Sequence, residues 1–154
     1  MLPQVIRRIH PAAGILGFAT ILTFWTSTVA LEAFGSQQAI LAVKTGILWG
    51  MIVLIPSLAV AGATGFRLAG PISKGPVAAK KRRMPFIAAN GILILIPCAV
   101  VLQGIAAAGD FGTTFYAVQA VELIAGATNI ALMGLNIRDG FRMTRGRRAM
   151  RAAA

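Results

Sequence analysis

Four long runs without a charged residue constrain this chain more than any other feature. No charge occurs from Pro11 to Leu31, from Thr45 to Phe66 or from Met84 to Gly109, and a fourth run, Phe111 to Ile137, is broken only by Glu122. A bilayer core is crossed by a helix of about 20 apolar residues, so each run is long enough to cross once. The expected fold class is all-α: a polytopic membrane protein built as a bundle of four transmembrane helices, at roughly 11–33, 40–66, 85–107 and 114–137. Residues 1–137 form the transmembrane domain on this reading, and 138–154 form a basic cytoplasmic tail. Composition agrees. Only 12% of residues are charged and 57% are hydrophobic, against about 25% charged in soluble domains.

The placement of charge gives an orientation. Arg7 and Arg8 precede the first run, Arg67, Lys74, Lys80, Lys81, Arg82 and Arg83 lie between the second and third, and six arginines follow the fourth. Lys44 alone lies on the other side. The positive-inside rule then puts both termini and the middle loop in the cytoplasm of a bacterial inner membrane. The net charge of +11 is read as a partner for anionic lipid headgroups. Nucleic acid is not expected as a partner, because no basic stretch is interleaved with stacking aromatics. The sole cysteine, Cys98, sits in an apolar run and reads as an inert thiol. No cleavable signal peptide is expected.

Within the runs, Pro56 and Pro97 each follow "LI" near mid-span and should bend their helices. Pro11 and Pro85 are expected to open the first and third helices. Gly46 and Gly50 form a small-residue seam suited to close helix approach, within the monomer or in a homodimer or larger membrane complex. "AGAT" occurs at 61–64 and 125–128, and "AVK" at 42–44 echoes "AVE" at 120–122, which suggests two related hairpins.

Ionisable groups inside a membrane are costly and call for partners. Glu32, Lys44 and Glu122 are the three here. Similar depth makes Lys44 and Glu122 the expected buried ion pair, with Gln119, one turn from Glu122, completing a network. Such a pair fixes helix docking; the alternative role is a proton or cation site in a small transporter.

The only histidine, His10, stands in "RRIHPAAGILG". Helical spacing puts His10, Gly14 and Gly17 on one stripe. An imidazole above two positions without side chains offers a flat seat for a planar macrocycle, with the imidazole on its metal. Haem b is the expected cofactor on this reading, with His10 as axial ligand. Arg7 and Arg8 would pair with the propionates, and Met84 is one choice of second ligand. The competing reading is an interfacial histidine beside glycines that serve helix packing.

"RIHPAAGILGFATILTFW" resembles the first helix of bacterial four-helix membrane proteins of the HemJ and CopD-like kind. That resemblance covers about 20 residues and implies haem binding through His10. The chain lacks the further histidines common in cytochrome-b-like bundles, and it lacks a clear equivalent of the basic residue that HemJ proteins carry in a later helix, although Lys80 to Arg83 are nearby. The whole chain also resembles four-span inner-membrane proteins of alphaproteobacteria. The expected function is therefore haem binding for electron transfer or haem handling. The alternatives are an accessory or assembly subunit and a small transporter. The sequence shows no metal-ligand cluster, no nucleophile–base–acid set and no phosphate-binding loop before a cytoplasmic helix.

Overall fold

The computed structural model describes residues 2–71 and 74–152. Four helices account for nearly all of them. α1 is Leu2–Phe34 and α2 is Gln37–Ala69. α3 spans Gly75–Ala107 and α4 Thr113–Ala152. Each is long and apolar enough to cross a membrane, and no strand occurs among the described residues. The protein is an all-α four-helix bundle.

The helices run past the apolar runs at the basic end of the bundle, the end that carries most Arg and Lys. α1 begins at Leu2 with Pro11 inside it, and α3 begins at Gly75 with Pro85 inside it, so neither proline opens its helix as expected. α4 continues without a break through the segment expected to be a separate tail. The physical reason is common to all three. Arg, Lys, Met and Ala are good helix formers, and long basic side chains can snorkel to water from a helix that has already left the lipid.

The two tight turns sit at the opposite end, the turn end. Ser36 caps α2, its hydroxyl accepting from the Ala39 backbone N–H at 3.2 Å. Gly109 turns the chain after α3 with φ +72°, a conformation that favours glycine.

The two mid-span prolines behave differently. α2 passes Pro56 as continuous helix. α3 instead widens into a π turn over Gly91–Leu95, directly before Pro97, and the Ile96 N–H reaches back to the Gly91 carbonyl. A proline ring crowds the carbonyl four residues earlier; the wider turn relieves that crowding inside the span.

α1 packs on α2 and α4, and α3 packs on the same two helices, while the diagonal pairs α1–α3 and α2–α4 make no close backbone approach among the described residues. Small residues set the α1 contacts. Gly17 lies under Leu58, Gly50 under the Phe24 ring, and Gly126 under Trp25. The core divides into two clusters. Ile40, Leu102, Ala106 and Phe115 close the turn end, and Ile21, Ile87 and Met133 close the basic end. Outward apolar side chains such as Trp49, Leu93 and Ile124 are about 70% exposed, as expected where lipid is the solvent.

Candidate functional site

Polar side chains lie at three depths, and an apolar cavity runs between the first and the last. At the turn end, Lys44 Nζ donates to Glu122 Oε2 at 2.7 Å, with the lysine side chain 1% exposed and the glutamate 12%. Gln119 Nε2 donates to the same oxygen at 3.1 Å. The expected pair and its glutamine are therefore brought together. They join α2 to α4 across the diagonal, where backbone packing does not. Glu32 comes into the same region without an ion pair, and its Oε1 and the Oε1 of Gln119 are buried with no hydrogen-bond partner.

At mid-depth α3 and α4 are clasped by two asparagines. Asn90 Nδ2 donates at 2.8 Å both to Asn129 Oδ1 and to the Ala125 carbonyl. Asn129 Nδ2 donates to the Ile87 carbonyl at 3.3 Å. Asn129 is 1% exposed, so all of its polar atoms are satisfied within the helix pair. The clasp lies immediately ahead of the π turn, where the α3 backbone is least regular.

At the basic end, Arg83 Nη1 donates to Asp139 Oδ2 at 2.6 Å and to Asn136 Oδ1 at 3.3 Å, and Arg138 approaches the other Asp139 oxygen at 3.5 Å. Asp139 and Lys80 both lie beyond the apolar spans. The hydrogen bond from Arg83 holds the Asp139 carboxyl below the usual carboxylate range, and burial pulls the Lys80 ammonium below the usual lysine range, opposed by Asp139. This cluster was missed in the sequence. Its signal was Asp139 itself, the only acidic residue among the arginines that follow the fourth run.

His10 also belongs to the basic end. Its Nδ1 lies 3.1 Å from the Ala61 carbonyl and 3.1 Å from the Thr64 hydroxyl. A carbonyl only accepts, and the Thr64 hydroxyl already donates to Val60, so Nδ1 carries a proton and donates to Ala61. The ring rests on Gly65, where a Cβ would meet Cε1 at 2.9 Å. The three residues expected to form a flat seat therefore part company. His10 packs on α2, Gly17 is covered by Leu58, and only Gly14 faces open space. Arg7 and Arg8 are exposed. Met84 joins the basic-end core and accepts a weak hydrogen bond from Asn136 Nδ2 at 3.6 Å.

The cavity has a volume of about 410 Å³ and touches all four helices. Its α1 and α4 walls are buried or half-buried: Ile21, Trp25 and Thr28 on one, Glu122, Gly126 and Asn129 on the other. Its exposed wall residues, among them Ile55 and Phe66 of α2 and Ile92 of α3, all lie on α2 and α3. The exposed part of the wall therefore lies on α2 and α3, within their apolar runs. Met84 lines it near the basic end and Glu122 lines it near the turn end; His10 does not reach it. Among the described residues no three His, Cys, Asp or Glu side chains converge as metal ligands.

No family model matches the chain, and neither a curated protein nor a solved structure is similar to it.

Proposed function

We propose that the protein binds a lipophilic molecule taken from the bilayer across the exposed α2 and α3 part of the wall. The observation that carries this reading is the cavity itself: apolar, walled by all four helices, with its exposed lining residues confined to the apolar spans of α2 and α3. Concave apolar sites with a few polar groups are where small ligands bind. The orientation expected from the charges puts the Lys44–Glu122 end outside and the Arg83–Asp139 end in the cytoplasm of a bacterial inner membrane.

Trp25 lines the cavity, whereas Trp49 is 70% exposed on the outer surface. In a Trp49→Phe protein a brominated alkane that enters the cavity should quench the remaining tryptophan. Gly62→Leu should block this quenching. A Cβ at Gly62 would meet only Met84 Cε, at 3.7 Å, so the added side chain fills the cavity without displacing backbone. Equal quenching with and without the leucine would overturn the reading.

A second reading is haem b on His10, with Arg7 and Arg8 toward the propionates. One observation favours it. Histidines that ligate metals usually donate their other ring N–H to a carbonyl or carboxylate, and His10 Nδ1 is so placed on Ala61. The seat does not fit a macrocycle lying across both glycines, because Leu58 covers Gly17. Met84 lines a cavity that His10 does not reach, which separates the two expected axial ligands. A Soret band lost in His10→Ala would support haem; colourless protein from haem-sufficient cells would remove it. An accessory role in a homodimer or larger complex is the outcome left if neither ligand binds.

A further inference from the structure

The turn end of the bundle holds more negative charge than it pairs. The sequence has four acidic residues. Asp110 is exposed in the second turn, and Asp139 lies at the basic end on Arg83. The other two, Glu32 of α1 and Glu122 of α4, share the turn end with a single buried ammonium, Lys44 of α2. Lys44 and Glu122 are the charges that act on Glu32. From α3 this end receives the Cys98 thiol, and Tyr116 of α4 is exposed. Lys44 is committed: its Nζ lies 2.7 Å from Glu122 Oε2. The Glu32 carboxylate is left over.

Hydrogen bonding points the same way. Two side-chain oxygens are enclosed here without a partner, Glu32 Oε1 and Gln119 Oε1. Gln119 is 3% exposed, and its amide cannot be turned round. Its Nε2 donates to the Glu122 carboxylate at 3.1 Å, where an oxygen would face an anion. Both unfilled atoms are therefore acceptors. What this end lacks is a donor and, by the charge count, one positive charge. A water supplies donors but no charge. Hard cations such as calcium and magnesium take about six oxygen ligands, and any metal ion would sit against the Lys44 ammonium. A proton supplies donor and charge together.

We infer that the turn end is a proton-binding site, in which Glu32 carries the proton beside the Lys44–Glu122 pair. Uptake is an acid–base step: hydronium gives its proton to the Glu32 carboxylate and leaves as water, and nothing is oxidised or reduced. The two carboxyls and one ammonium then carry no net charge, the state that a membrane interior favours. The proton also turns one Glu32 oxygen from an acceptor into a donor. Glu122, held by Lys44 and Gln119, remains the anion. Glu32 is placed for exchange with water. It is half-buried and stands two residues before Phe34, which ends α1 and is 92% exposed. The proton site stands independently of the lipophile reading.

The test is infrared spectroscopy of the protein in bilayer discs at neutral pH. A protonated carboxyl has a carbonyl stretch distinct from that of a carboxylate, and the stretch shifts in heavy water. Wild type should show one such carboxyl per chain. Glu32→Gln keeps the shape of the protonated side chain and should lose the band with helix content unchanged. Lys44→Met leaves two carboxylates without a cation, so the band should grow to about twice its size. Replacing potassium chloride by sodium chloride should leave it unchanged. A wild type without the band, or a band that survives in Glu32→Gln, overturns the assignment. A band that fades as sodium rises shows a metal ion in the proton's place and overturns it as well. A band of unchanged size in folded Lys44→Met refutes the charge count; should that variant fail to fold, the comparison with Glu32→Gln decides alone.

Discussion

Removing Glu122 tests how the diagonal of the bundle is held. Lys44 Nζ is almost wholly buried and has one hydrogen-bonded carboxylate, at 2.7 Å. Glu122→Leu leaves an ammonium in the core and takes the acceptor from Gln119 Nε2 as well. Breaking one side of a buried pair costs about 3–5 kcal/mol. Removing both partners, with Lys44→Met and Glu122→Leu together, leaves neither of the two stranded without the other and should cost much less than the two single losses added. The coupling expected from the double-mutant cycle is therefore about 2 kcal/mol or more. An ordinary interhelical hydrogen bond in a membrane couples by only about 0.6 kcal/mol, so the magnitude separates a buried ion pair from an incidental contact. Reversible unfolding in mixed micelles gives the four stabilities. Additive single losses would refute the pairing. Normal coupling together with retained quenching of Trp25 would show that the pair is structural and the cavity independent of it.

Three further outcomes are expected. Gly14→Leu should be nearly silent in thermal stability, because no atom lies within 4 Å of the added Cβ, whereas Gly126→Leu should be strongly destabilising, because Trp25 Cδ1 lies 2.9 Å away; equal effects would contradict the α1–α4 packing. Asp139 has a folded-state pKa below its ordinary value, so its contribution is complete above about pH 4 and is lost as pH falls through that range toward the folded value. The stability difference between wild type and Asp139→Asn should accordingly shrink between pH 6 and pH 3, and a constant difference would show that Arg83 does not act through charge. A reporter active only outside the cytoplasmic membrane should work when fused after Gln38 or Gly112 and stay silent after Gly75 or Ala154; activity after Ala154 would reverse the orientation.

The four spans, the two tight turns and the Lys44–Glu122 pair were legible in the sequence, because each follows from a one-dimensional quantity. Length of apolar run decides whether a segment can cross a membrane, and the high cost of an isolated charge in lipid forces two opposite charges at equal depth to find each other. The sequence also singled out His10, Gly14 and Gly17 correctly as one helical stripe. It could not say what lies over that stripe. Leu58 and the Ala61 carbonyl come from α2, more than forty residues away, and the rotation of α2 about its own axis decides that Gly17 is covered and Gly14 is not. Asp139 was hidden for the same reason: it stands among arginines in the chain, and only the α3–α4 packing turns it inward onto Arg83. The cavity had no sequence signal at all. An apolar residue that packs a neighbour and one that faces a void read alike, and only the packing of all four helices leaves the space that they line.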